Sequence, residues 1–401
     1  MTTRPTGRFL LTVLAIYTVL RLFTTAVLLW ITHSQQDPVI FTDEYPRYFD
    51  VATAWDGKWY REIAEQGYPP ELPRYEDGTV RQNPWAFYPI FPKTAALLMH
   101  LTGQPFEVVA PLLATVIGYA AVLVMALLLH ERVGRVGTLA AVTLYAAFPA
   151  SPTLQVAYTE SLAILLLCLV LLLLSKERWL WAAGVAVLTG LARPIALPLG
   201  VVALVAVFLR WRARGERPLG AGEVLRMLAA LVGCGVSGLI WPALVWRGTG
   251  EPDGYTTTMS AWRGGEEISP FQPTLDLLEF LFGDRGTWLL LGGTVLLLVA
   301  VLGPWARALG AELRAWLLAY PFYLAAALDP WTSIYRYLLM MFPLFVVFVG
   351  AGWRPGDRKG YVQPTWLTGT RLVVLLVLFL GWQVWWTWEL FMFVPPRDDP
   401  P

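Results

Sequence analysis

The chain has 401 residues, of which 56% are hydrophobic, 14% aromatic and only 15% charged, with a mean hydropathy of +0.54. That balance excludes a water-soluble globule, since such a chain cannot cover its apolar side chains with polar surface. Thirty basic residues against 29 acidic ones leave a net charge of +1, which gives no argument for nucleic acid as a partner.

From Phe9 to about Thr32 the chain is apolar for long enough to span a bilayer, with Arg4 and Arg8 before it and no small-residue cleavage site after it. This predicts a retained signal-anchor helix with a cytoplasmic amino terminus. Residues 33–85 are too polar for membrane and carry ten acids and five bases, which predicts an external loop. Within it, Trp55, Trp59 and Ile63 recur at helical spacing, Thr53 and Asp56 fit a capping-box-like pair, and Gly67 with Pro69 supplies a stop. A short amphipathic helix lying on the membrane is expected over residues 53–67.

Residues 87–101 are interrupted by Pro89 and Pro92, leaving only 93–101 for a continuous helix, so an interfacial or re-entrant segment is expected there. Spans follow at about 108–130, 136–149, 154–174, 179–192, 194–209, 225–246, 287–304, 315–328, 335–352 and 371–393. With the first helix they make about eleven. The fold class expected is an all-α polytopic membrane protein, one integral membrane domain over residues 1–401 with external loops at 33–85 and 247–285.

Charge supports the parity of these crossings. Seventeen bases and six acids fall on the cytoplasmic side, while 23 acids and 12 bases fall outside, with Arg21 left in mid-membrane. Under this parity the carboxyl terminus is external. Arg21 should cost at least ~2.5 kcal/mol facing lipid, so it is expected to face protein and pair with an acid. The motif at residues 233–238 has the glycine spacing of a dinucleotide loop, but it lies inside an apolar span, where close helix packing explains it better. Cys168 and Cys234 lie in apolar runs and exclude a disulfide framework or a cysteine metal cluster; His33, His100 and His130 have no ligand spacing. No metal or other cofactor is expected.

The unusual polar residues converge on the external side: Asp56 between Trp55 and Trp59, Glu160 after Tyr158, Arg193 before Pro194, and Asp329 with Arg336. Acids, bases and aromatic rings meeting at one interface suit the polar headgroup of a lipid substrate. In the first turn of its helix Asp56 is placed to accept a proton from a hydroxyl; the plainer reading makes it a cap, with the tryptophans as headgroup anchors. Glu160 needs a partner or a wet cavity unless it sits at the membrane surface. Arg193 lies at a break between two short helices, a place suited to a bidentate grip on phosphate, and Arg336, between two tyrosines, offers a second. For both arginines the plainer reading is snorkelling to the interface.

Residues 55–68, WDGKWYREIAEQGY, resemble the W-D-x-x-[WH]-[YF]-x-x-I-A-x-x-G-Y signature of the PIG-V-like mannosyltransferases. In the same order as in that family, residues 86–92 (AFYPIFP) resemble its proline element, residues 148–161 its P-A-S/Y-[ST]-E-S element, and residues 191–193 its arginine after the next helix. The resemblance covers roughly residues 50–200 and implies a GT-C-type helix bundle that uses a polyprenyl-phosphate sugar on the external or lumenal face. It implies Asp56 as the catalytic acid of the first loop; Tyr88 and Phe91 depart from the usual proline element, and no double-acid motif accompanies Asp56.

The expected activity is therefore inverting transfer of a hexose, mannose by the resemblance, to an acceptor hydroxyl on a glycan, glycolipid or protein. Asp56 is expected as base, Arg193 and Arg336 on the donor phosphate, Glu160 as an acceptor-orienting or second acid, and Trp55, Trp59, Tyr60 and Tyr158 as supporting groups. Four lysines among the thirty basic residues suggest a GC-rich bacterial genome, hence a plasma membrane. The alternative is a transporter or lipid flippase, disfavoured by the absence of a visible repeat and by having only Arg21 at mid-membrane.

Overall fold

A computed structural model describes residues 5–35, 46–265, 269–328, 331–353, 364–393 and 401. The first apolar run forms α1 (Gly7–Ser34), opened by Thr6, whose side chain accepts from the Phe9 amide. Beyond it come two short helices, α2 (Tyr48–Ala52) and α3 (Asp56–Glu65), then α4 (Ile90–Thr102). Next are α5 (Phe106–Ala147), α6 (Glu160–Ser175), α7 (Trp179–Gly190), α8 (Leu199–Arg212) and α9 (Ala221–Thr249). The second predicted loop holds α10 (Gly254–Ala261) and α11 (Gln272–Phe282). The chain continues through α12 (Arg285–Leu302), α13 (Gly310–Ala327), α14 (Ile334–Leu338), α15 (Leu344–Phe348) and α16 (Thr365–Phe391).

Among the described residues the secondary structure is helical apart from one isolated bridge, Arg74 with Val80, so the all-α class holds. Five helices, α1, α5, α9, α12 and α16, are long and apolar enough to cross a membrane. The surface agrees: Leu22, Val116, Trp181, Leu239, Leu296 and Val377 are all more than 60% exposed, an arrangement stable only against lipid.

Residues 106–147 break between 130 and 136 as expected: Gly134 adopts φ 68° and ψ −173°, a conformation open to glycine that splits α5 into two helices. Other expected boundaries are corrected. Residues 335–352 are not one span: α14 gives way to a 3-10 turn at Leu339–Met341 and then to α15. The helix expected from 154 starts at Glu160, because Ser151–Leu154 is a 3-10 turn. In contrast, α4 starts before Pro92: that proline lies in the first turn, where its missing N–H removes no intrahelical bond.

The core lies around α5, which packs against α1, α6 and α16, with α7 laid along α9. Glycines set that second contact. A Cβ at Gly233 would come 2.7 Å from Ala183 Cβ, and one at Gly190 would collide with Ser237 O. The glycine-spaced motif is thus a helix-packing surface, as expected.

Arg21 corrects one expectation. It is buried without an acid and instead donates to the carbonyls of Ser151 (2.5 Å) and Ala146 (2.6 Å) and to Ser151 Oγ (3.0 Å), with its guanidinium 5.2 Å from the Tyr17 ring centroid. The open carbonyl end of α5 carries the partial negative charge that a carboxylate would have supplied. Arg21 thereby fixes the 3-10 turn that leads into α6.

Charged residues gather at the two ends of the bundle. At the end where α6 finishes, Lys176 pairs with Glu131, Arg217 with Glu177 (2.5 Å), and Arg210 with Glu223 (2.6 Å). The other end, where α6 begins, holds the candidate site.

Candidate active site

A short backbone contact brings the first and third sequence blocks together. The Ala157 amide donates to Ala52 O at 2.7 Å, and Gly57 lies flat against Ala157, where a Cβ would sit 3.4 Å from the Ala157 Cβ. The start of α3 is thereby pressed onto the start of α6, and the first residue of each helix is an acid, Asp56 and Glu160.

Trp55 makes this entry possible. It precedes α3 with φ 55° and ψ −118°, an uncommon conformation for a bulky residue, and its indole Nε1 donates to Leu390 O of α16 at 3.2 Å. The expected Thr53–Asp56 capping pair does not form. Thr53 Oγ1 donates backward to Phe49 O at 2.8 Å, and no side chain caps α3. The Asp56 carboxylate is left for another partner.

That partner is Arg336. Its Nη2 donates to Asp56 Oδ2 at 2.7 Å and its Nε to Glu160 Oε1 at 2.7 Å, so one guanidinium spans two carboxylates. Nη1 of the same group donates to Pro401 O at 2.7 Å. All three nitrogens are engaged, and the guanidinium lies 4.6 Å from the Tyr158 ring centroid. Arg193 approaches from the other side: its Nη1 meets Glu160 Oε1 at 2.6 Å and Thr159 Oγ1 at 3.2 Å, with Tyr337 at 5.5 Å from its guanidinium. Its Nε and Nη2 donate to no described residue. The snorkelling reading of both arginines is therefore corrected, because each is buried in an ion network.

The two acids differ in access. Glu160 is completely buried, accepts both arginines on Oε1 and leaves Oε2 without a partner; the side chain of Asp56 is 20% exposed. Asp56 Oδ1 accepts no hydrogen bond among the described residues. Among the four side chains two carboxylates balance two guanidiniums, and their burial requires that all four stay paired.

The other expected residues surround this network. Tyr60 shares a 3.2 Å hydrogen bond with Thr159 Oγ1, so one hydroxyl links it to Arg193. Burial, and then the neighbouring Asp56 charge, push the hydroxyls of Tyr60 and Tyr158 up, so both remain protonated donors at neutral pH. Trp59 is not simply a headgroup anchor: it stacks near Phe87, with centroids 5.8 Å apart, and meets Trp262 edge-on at 5.2 Å.

Residues 86–92 pack on the same cluster. Phe87 and Phe91 lie 5.2 and 5.5 Å from Tyr60, and the Ile90 amide donates to Leu191 O at 3.3 Å, two residues before Arg193. All four sequence blocks thus meet at one end of the bundle, joined from far along the chain by Arg336. Asp329 lies outside the described residues.

Sequence reasoning did not pick out Thr159, Tyr337 or the residues of α10. Thr159 stood within a block already marked by Tyr158 and Glu160, and Tyr337 beside Arg336; α10 carried no signal. Tyr255 of α10 shares a 3.1 Å hydrogen bond with Tyr88, bringing the second predicted loop onto the site.

An apolar groove of ≈ 510 Å³ opens beside α14, lined by Leu277, Leu281, Leu324, Trp331, Ile334 and Tyr335 among others. It runs between α11, α12 and α13 and ends at residues flanking Arg336. No protein-family model matches the chain, and no curated protein matches it.

Proposed function

We propose that the chain is an inverting glycosyltransferase of GT-C type, which transfers a hexose, mannose by the resemblance, from a polyprenyl-phosphate sugar to an acceptor hydroxyl. The observation that carries this reading is the four-membered network of Asp56, Arg336, Glu160 and Arg193 at one end of an apolar helix bundle, with an apolar groove lined by Tyr335, the chain neighbour of Arg336. A buried ion network set near an apolar groove is costly to maintain and favours a substrate with both an anionic head and a long apolar tail.

In this reading the acceptor oxygen attacks the anomeric carbon while its proton passes to Asp56 Oδ1, the accessible carboxylate oxygen. The bond between the anomeric carbon and the phosphate oxygen breaks on the opposite face, and polyprenyl phosphate leaves with the bonding pair. A single displacement inverts the anomeric centre. Positioned proton transfer of this kind contributes about 10²–10⁴-fold. The uncommitted Nε and Nη2 of Arg193 receive the negative charge that grows on the leaving phosphate. Arg336, with every nitrogen engaged, positions both carboxylates, and the buried Glu160 holds Arg193 and Arg336 in place. No step calls on a metal or other cofactor. The charge bias of the connecting segments supports placing this end of the bundle on the external face with a cytoplasmic amino terminus, and the low lysine share supports a bacterial plasma membrane.

The test is to incubate the purified chain with polyprenyl-phosphate [³H]mannose and glycolipid, glycan and protein acceptors. Radiolabel leaving the polyprenyl fraction for an acceptor supports transfer. Intact donor moved between leaflets of a vesicle, with no cleavage, overturns it in favour of a flippase.

A further inference from the structure

A second apolar groove lies on the opposite side of α13. It has a volume of ≈ 820 Å³ and runs between α8 and α13, from Ala315 to Ala327 on one wall and from Leu197 to Val205 on the other, roofed by Pro270. The twelve helical steps from Ala315 to Ala327 span about 18 Å, close to one leaflet's share of a hydrocarbon core about 30 Å thick. The groove therefore has the length of an acyl chain and reaches the same end of the bundle as Asp56.

Its mouth carries a cation. Arg263, just past α10, donates from Nη2 to Ala327 O at 2.8 Å, and Ala327 is itself a groove residue. Nη1 of Arg263 is buried and has no partner among the described residues, and so is the indole Nε1 of the adjacent Trp262. Tyr323, which lines the groove, is close enough to Arg263 and Tyr255 to interact with them electrostatically. A guanidinium N–H kept from water without an acceptor is unfavourable, and an arriving anion removes that cost.

We propose that the α8–α13 groove is a binding site for an anionic phospholipid, whose acyl chain fills the groove and whose headgroup phosphate accepts from Arg263 Nη1 and Trp262 Nε1. The site borders the candidate active site, since Trp262 packs on Trp59, but it uses none of Asp56, Glu160, Arg193 and Arg336, and its occupation does not depend on glycosyl transfer. The choice of an anionic lipid follows from the pairing of an unpartnered cation with an apolar channel of leaflet length. A water-soluble phosphate satisfies only the first of these features, and a zwitterionic lipid carries a cation of its own beside the phosphate.

The experiment uses the full chain purified in a neutral detergent, with thermal unfolding followed as lipid is added. Dioleoyl phosphatidylglycerol should raise the transition temperature at low concentration, whereas dioleoyl phosphatidylcholine and glycerol phosphate should act weakly or not at all. Arg263→Gln should raise the phosphatidylglycerol concentration for half-maximal effect about tenfold, and Arg214→Gln, which removes an exposed cation near the far end of α8, should leave it unchanged. Ala319→Leu narrows the groove itself and should weaken the effect of phosphatidylglycerol with Arg263 intact. Equal responses to the two lipids, a full response to glycerol phosphate, or a wild-type response in Arg263→Gln would overturn the proposal.

Discussion

Arg193 Nη1 and Arg336 Nε meet the same oxygen of Glu160, at 2.6 and 2.7 Å, and leave its other oxygen without a partner among the described residues. One buried carboxylate atom thus holds two guanidiniums from residues 143 positions apart in the chain. Glu160→Gln removes the charge they share and leaves two cations facing each other. Breaking a buried pair from one side costs about 3–5 kcal/mol, so the variant should unfold at a clearly lower temperature in detergent. An unchanged transition would mean that the network contributes little to the fold.

The two arginines should respond differently to the same conservative change. Arg336 uses all three nitrogens, two of them to join Asp56 to Glu160. A lysine offers one ammonium in place of that planar fork, so Arg336→Lys should lower kcat about a hundredfold by releasing Asp56. Arg193 commits one nitrogen only, and Arg193→Lys should keep the fold and raise KM for the polyprenyl-phosphate sugar more than it lowers kcat. Steady-state kinetics on both variants separate the roles, and identical profiles would contradict the assignment.

Gly57 sets the distance between the two acids. A Cβ there meets Ala157 at 3.4 Å, an ordinary contact, so Gly57→Ala should retain most activity. Gly57→Leu drives a branched side chain into Ala157 and forces the start of α3 away from α6. Misplacement by about 1 Å costs on the order of 10²-fold. The comparison of the two variants in a transfer assay checks this, and near-normal transfer by Gly57→Leu would sink it.

Arg21 serves the site from a distance. It bonds the carbonyls of Ala146 and Ser151 and so anchors the turn before α6. Arg21→Met leaves both acceptors buried, at about 1–3 kcal/mol for each, and should lower the unfolding temperature. Because Arg21 touches none of the four network residues, KM for the donor should stay near that of the parent chain in the folded fraction. A large change in KM at unchanged stability would assign it a different role.

Much of this arrangement was legible in the sequence because the membrane imposes strong patterns. Apolar runs marked the long helices, and Asp56, Glu160, Arg193 and Arg336 stood out as polar groups near span ends. Their convergence followed from counting crossings. What escaped was set by tertiary contacts. The partner of Arg21 was expected to be an acid, and it is a pair of backbone carbonyls that any residue types could supply. Thr53 was expected to cap α3, but Asp56 is drawn to an arginine 280 positions further on and Thr53 bonds back into α2. The division of residues 335–352 into short helices depends on local backbone angles that hydropathy averages away. Arg263 and Trp262 lie in a loop with no periodic signal, and only the fold sets them beside a groove.

The central claim is that Asp56 accepts the acceptor's proton. The most direct measurement is transfer of [³H]mannose from its polyprenyl phosphate by Asp56→Asn, with donor binding and thermal unfolding recorded on the same preparation. Asparagine keeps the shape and still offers an oxygen to Arg336, so folding and donor binding should persist while transfer falls by about 10²–10⁴-fold. Transfer at the parental rate by a folded Asp56→Asn protein would remove Asp56 from the base position.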